Sequence, residues 1–185
     1  MINKVATVHG RFQPPHLDHL EYIEAALNKT SHLIVGITQP DAAQLIDCPE
    51  DPHRAESASN PLSYEERCEA IRRMLLSKSI SENRFSFVRF PIEQPVNLEK
   101  SIALGTVCYT TIRDEWNVIK IERLRSLGYD VRVLWDKRGE PGIQGKEIRR
   151  MIRAGDIKWK SFVHQAVADY LIEARIIERI EWHKR

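Results

Sequence analysis

The sequence predicts an α/β chain built on a doubly wound, Rossmann-like parallel sheet of about five strands, with a C-terminal helical segment. Three observations predict it. Strand-like and helix-like stretches alternate along most of the chain. Leu33-Ile34-Val35-Gly36-Ile37 is a continuous apolar run, as expected of a strand buried on both faces. The first and last strand-like runs each lead through a glycine-bearing turn into a helix start, where such sheets hold anionic ligands.

The elements follow in order. Val5 to Val8 is the first strand, and His16 to Asn28 the first helix, with Leu17, Leu20, Ile23 and Leu27 on one apolar stripe. Residues 33–37 are the second strand. Residues 39–61 carry four prolines and no apolar period, which predicts a long functional or mobile loop. Ser63 is an N-cap, and Glu66 three residues later completes a capping box. The helix it opens runs to about Ser77 with Cys68, Ile71, Met74 and Leu75 inward. Phe85 to Phe90 and Val107 to Ile112 are strands, a helix spans about Glu115 to Leu127, and Gly128 ends it. Tyr129 to Trp135 is the fifth strand, Asp136 to Gly142 a charged loop, and helices fill most of the rest. The 185 residues are read as one domain, with a core over 1–158 and closing helices over 159–185.

Composition narrows the function. Basic and acidic residues number 28 and 26, a net charge of +2, which argues against a bulk nucleic-acid binder. Cys48, Cys68 and Cys108 are scattered, without the spacing of a disulfide framework or a zinc site, and fit a reducing compartment. No signal peptide or membrane span is expected, so the cytoplasm is the expected location, with neither membrane nor nucleic acid as partner.

The chemistry concentrates at two places. In Gly10-Arg11-Phe12-Gln13-Pro14-Pro15-His16-Leu17-Asp18-His19, an i,i+3 spacing puts His16 and His19 on one helix face, beside the positive end of the helix dipole. Arg11 adds a guanidinium suited to phosphate. In Gly142-Ile143-Gln144-Gly145-Lys146-Glu147-Ile148-Arg149-Arg150, Lys146 and Arg149 lie one turn apart at a second helix start. Together they describe a polyphosphate site.

These segments resemble the HxGH nucleotidyltransferase superfamily, closest to the archaeal-type nicotinamide-nucleotide adenylyltransferases of the cytidylyltransferase-like family. That family's signatures read GRFQPxHxGH, NPFTAGER and ISGTEIRR. Asn60-Pro61-Leu62-Ser63-Tyr64-Glu65-Glu66-Arg67 is similar to the second, and Trp159 to Ala174 to the family's closing helices. Glu66 and Arg67 read as a capping and ion-pair element. Three positions depart: Asp18 replaces a glycine, and Gln144 and Lys146 replace a serine and a threonine.

The resemblance implies attack of a phosphate-type oxygen on the α-phosphorus of a nucleoside triphosphate, with release of pyrophosphate. His16, His19, Lys146 and Arg149 are then the catalytic set. Gly10, Arg11, Phe12, Gln13, Thr110, Thr111, Arg113 and Gly145 bind the nucleotide. Mg2+ is the implied cofactor. Asp18 is either a magnesium ligand or an outward first-turn carboxylate favourable to the helix dipole. ATP is the first choice of donor, because GRFQP belongs with adenylyl transfer, and CTP the second. A nucleotide-binding regulator without catalysis is the third reading, favoured by Asp18, Gln144 and Lys146. The family's acceptor segment is Pro91 to Lys100 here, with Asn97 present and Lys100 roughly where a nicotinamide-stacking tryptophan would stand. The expected acceptor is therefore another phosphate or phosphonate ester, with Asn97 and Lys100 binding it and Lys100 meeting a second anionic group. Trp116 is read as packing. Homo-oligomerisation stays open.

Overall fold

Five parallel strands form one sheet in the order β3-β2-β1-β4-β5 in the computed structural model, which describes residues 3–41, 43–47, 49 and 52–182. They are β1 (Asn3–Gly10), β2 (Thr30–Ile37), β3 (Phe85–Arg89), β4 (Val107–Ile112) and β5 (Asp130–Asp136). Ala6, Val8, Leu33, Val35 and Ile37 are fully buried on one face, and Thr7 and His9 are buried on the other, as a sheet covered on both faces demands.

Among the described residues six α-helices cover those faces: α1 (Leu17–Leu27), α2 (Tyr64–Ser77), α3 (Glu115–Ser126), α4 (Gly145–Arg153), α5 (Gln165–Glu173) and α6 (Ile176–Trp182). The larger buried cluster joins α1, α2 and the three C-terminal helices, and a second gathers Trp116, Ile121 and Leu124 of α3 with Phe90, Ile92 and Leu98. Leu17, expected on the inward stripe of α1, is 37% exposed; Tyr22 and Ala26 are buried on that helix instead. The capping box of α2 forms as expected, with Glu66 N–H donating to Ser63 Oγ at 3.2 Å and Ser63 N–H to Glu66 Oε2 at 2.8 Å. Glu66 also pairs with Arg179 of α6 at 2.6 Å.

Arg67 does not make the expected ion pair. Fully buried, it donates to the carbonyls of Ser63, Arg11, Thr38, Gln39 and Pro40. Burial pushes its pKa down to about 10, which still leaves it charged at neutral pH. A buried guanidinium satisfied by carbonyls is worth more in position than as half of a surface pair. It ties the turns after β1 and β2 to α2.

The 39–61 stretch is an ordered strap where it is described, with 3-10 turns at Pro52–Ala55 and Ser57–Ser59. The Asn60 amide closes it by donating to the carbonyls of Arg54 and Glu56, both at 2.8 Å. Cys48 lies outside the described residues; Cys68 and Cys108 are buried free thiols.

The chain runs outward from β1 to β2 and β3, then returns to lay β4 on the other side of β1. At this reversal β1 and β4 pair only through Ala6↔Val107 and Thr7↔Cys108. Beyond Thr7 they part, and the gap is bridged by Tyr22, whose hydroxyl donates to the Tyr109 carbonyl at 2.6 Å and accepts from His9 N–H at 3.3 Å. A crevice at the carboxyl ends of the strands results, the usual ligand site of such a sheet.

Candidate active site

The crevice is a cleft of about 630 Å³. Its first wall is the turn from β1 into α1. Phe12 is fully buried with φ 54°, a backbone region that bulky residues rarely occupy. The Gln13 side chain, expected to bind nucleotide, is spent on protein backbone: its amide donates to Leu62 O and its oxygen accepts from Leu62 N–H, both at 2.9 Å. It is a strut for the site.

His16 is the N-cap of α1 and His19 its third residue. Their rings stack at 3.6 Å, and the edge of Phe12 meets His19 at 4.7 Å. His16 N–H donates to His19 Nδ1 at 3.3 Å, which leaves the proton of neutral His19 on Nε2. Burial, helped by Arg113, pushes the His16 pKa down to about 3. His19 is held well below its ordinary value by burial, then by His16, Arg11 and Arg113. Both rings are therefore neutral N–H donors at physiological pH.

The second wall is the start of α4. Gly145 is required there, since a Cβ would lie 2.6 Å from the Gln13 carbonyl oxygen. Arg149, 4% exposed, donates to that same carbonyl at 2.6 Å, while its buried Nε has no partner among the described residues. Burial, then Arg11 and Arg153, push its pKa down to about 10. Lys146 stands exposed at the mouth of the cleft.

A clasp joins the two walls. Asp18 Oδ2 accepts from Arg113 Nη2 at 2.7 Å and from Ile143 N–H at 3.0 Å. Asp18 keeps its expected place in the first turn of α1 but does not turn outward, because the guanidinium and the loop amide hold its Oδ2 in the cleft. No cluster of three or more His, Cys, Asp or Glu able to hold a metal occurs among the described residues.

Most of the sequence-derived set lines this one cleft: Gly10, Arg11, Phe12 and Gln13, His16 and His19, Thr111 and Arg113, and Gly145, Lys146 and Arg149. Three residues do not. Thr110 is fully buried and its hydroxyl donates to Thr111 O at 3.4 Å. Asn97 and Lys100 lie on a 3-10 turn, Pro95–Lys100, anchored by fully buried Leu98, and Lys100 Nζ donates to Asn97 Oδ1 at 3.1 Å. That hydrophobic anchor leaves the polar pair at the surface, away from the cleft.

In their place the cleft holds His9, Arg54, Trp116 and Lys120. Trp116 is buried, as its packing role required, yet it also walls the cleft, with the guanidinium of Arg54 4.7 Å from its ring and that of Arg123 5.3 Å away. Sequence reasoning missed Arg54 because its segment has no period. It missed His9 and Lys120 because a lone histidine in a strand and a lone lysine in a helix carry no pattern. Their one shared signal is position, after or near the carboxyl ends of strands.

The cytidylyltransferase-like family model matches residues 7–151. Phosphonoformate cytidylyltransferase of Streptomyces viridochromogenes is 35% identical over 173 residues, 94% of this chain and 93% of that protein. The nicotinamide-nucleotide adenylyltransferase of Halobacterium salinarum is 30% identical over 179 residues, 93% of this chain and 88% of that protein. The Thermococcus kodakarensis enzyme of the same name is 25% identical over 172 residues, 93% and 84% of the two chains. In fold, the chain resembles a bifunctional NMN adenylyltransferase/ADP ribose pyrophosphatase from Francisella tularensis, crystallised with AMP and a manganese ion. The TM-score is 0.66 at 14% identity, over 98% of this chain and 52% of that one, so the match spans about half of the bifunctional protein.

Proposed function

The chain belongs to the cytidylyltransferase-like family and is a nucleotidyltransferase, and from that footing we propose that it transfers a cytidylyl group from CTP to a small phosphonate or phosphate acceptor. The observation that carries the reading of the site is the pairing of two helix starts across one cleft, with neutral His16 and His19 on α1 and cationic Lys146 and Arg149 on α4. CTP is preferred as donor because the relative at 35% identity, matched along nearly its whole length, is a cytidylyltransferase. ATP is the second reading, favoured by the GRFQP turn and the adenylyltransferase relatives.

In this reading the acceptor oxygen is already anionic, so no general base is needed. It forms a bond to the α-phosphorus as the bond from that phosphorus to the bridging oxygen breaks, and pyrophosphate leaves with the electron pair. The protein contributes position and preorganised charge stabilisation. His19 Nε2–H donates to an α-phosphate oxygen, His16 supports it through the ring stack, and Arg149 and Lys146 take the charge that develops on pyrophosphate. The dipoles of both helix starts point the same way. Magnesium enters as part of the substrate, held by the phosphates; Asp18, already taken by Arg113, is not needed to carry it. We assign the reaction to the cytoplasm, where buried free thiols such as Cys68 and Cys108 persist.

The test is pyrophosphate release with each of the four common ribonucleoside triphosphates against a panel of phosphonates and phosphate monoesters. Release with CTP and a small phosphonate is expected. Efficient use of ATP with nicotinamide mononucleotide would replace cytidylyl by adenylyl transfer, and nucleotide binding without any release would make the chain a regulator.

A further inference from the structure

We propose that His9, Arg54 and Lys120 form a subsite that reads a carboxylate carried by the acceptor beside its attacking phosphonate or phosphate group. The inference rests on the transferase reading above and assigns the part of the cleft which that reading leaves unused.

His9 is the starting observation. It lines the cleft, is 2% exposed, and neither of its ring nitrogens has a hydrogen-bond partner among the described residues. Its orientation is fixed: the ring stacks on Phe90 at 4.5 Å and 3°, and Gly36 is what makes room for the Phe90 ring, since a Cβ at residue 36 would run into it. A buried polar group with no partner is costly unless a ligand or water completes it. Burial, then Lys120 and Arg54, hold His9 in its neutral form, so it offers an N–H donor and not a cation.

Two cations share this end of the cleft. Arg54 is held in place by Glu93, at 2.8 Å, by Thr38 Oγ1, at 3.1 Å, and by the face of Trp116. The Lys120 ammonium is pushed down to about 8 by burial and by Arg54, with Asp114 and Glu93 acting in the opposite sense. Asp114 itself is exposed and occupied as the N-cap of α3, accepting from Asn117 N–H at 2.9 Å. Glu93 offsets one of the two cations, and His9 is neutral. Among the described residues the Lys120 ammonium and one His9 N–H are left without a protein hydrogen-bond partner in the cleft, a donor pair that suits a carboxylate. The second anionic group that the sequence assigned to Lys100 is thus met by residues of β1, the strap and α3.

The subsite is tested with a matched pair of acceptors, phosphonoformate, which carries a carboxylate, and methylphosphonate, which does not. The wild-type protein is expected to favour phosphonoformate in kcat/KM by about tenfold or more, the worth of a charge-assisted hydrogen bond. Lys120→Gln and His9→Phe should each erase most of that preference, with the KM for CTP unchanged and thermal midpoints confirming folded protein. Equal use of the two acceptors by the wild type, or an equal loss for both in Lys120→Gln, would overturn the assignment. Should no triphosphate yield pyrophosphate, the transferase reading fails by itself. The subsite is then judged by calorimetry of the same two ligands, where a tenfold preference lost in Lys120→Gln supports it and equal binding refutes it.

Discussion

His19 is placed as a donor whose proton is set by a neighbour: His16 N–H occupies Nδ1, so Nε2–H faces the cleft. Replacing His19 by Ala should therefore lower kcat by about 10²–10³, the usual loss for one preorganised donor, with a thermal midpoint confirming folded protein. Near-normal pyrophosphate release from the folded variant would remove it from the machinery. The histidines also set a dependence on acid. His9, His16 and His19 all have folded-state pKa values below the ordinary 6.5, and His16 falls to about 3. The unfolded chain then binds these protons first. Their contribution to stability is whole above pH 6.5 and is lost as pH falls below it, for His16 at up to about 1.4 kcal/mol per pH unit until about pH 3. Urea unfolding between pH 7 and 5 should show stability falling with pH, and His16→Gln should make that fall shallower. An unchanged slope would mean that His16 is protonated in the folded protein.

The start of α4 separates two kinds of cation on one element. Arg149 is buried and bonded to Gln13 O, whereas Lys146 is exposed. Arg149→Ala should weaken triphosphate binding more than monophosphate binding and also destabilise the protein by about 1–3 kcal/mol, because the Gln13 carbonyl loses its partner. Lys146→Ala should show the same ligand selectivity with no such destabilisation. Calorimetry and urea unfolding read the two effects apart, and equal losses for both ligands would place these side chains away from the β- and γ-phosphates. At this scale much was legible in advance. The strands, the Ser63 capping box and the helix starts at 16 and 145 follow from β-branched runs, cap chemistry and glycine turns, all local signals. Asp18 was not legible, because its partners Arg113 and Ile143 lie 95 and 125 residues away in sequence. The misplacement of Asn97 and Lys100 has the same origin: their address depends on where Leu98 finds its core. Arg54 stayed hidden because a strap held by Asn60 and Glu93 leaves no periodic trace in sequence.

For the molecule as a whole, the parting of β1 from β4 is the feature with the widest reach. Tyr22→Phe should cost about 1–3 kcal/mol by leaving the Tyr109 carbonyl and His9 N–H without their shared hydroxyl, a loss that thermal or urea unfolding would register. An unaltered midpoint would mean that the bridge contributes nothing. Since β1 and β4 zip together only at Ala6 and Thr7, the sheet has a seam running through its middle, and the cleft lies over it. A triphosphate held by the turn after β1 on one bank, with its nucleoside near Thr111 and Arg113 on the other, would act as a rivet across that seam. The substrate then becomes a structural member of the sheet, and occupancy is broadcast to backbone far from any phosphate. Amide hydrogens along Val107–Ile112 should exchange more slowly when the cleft is filled, while those of the outer strand Phe85–Arg89 keep the same pace.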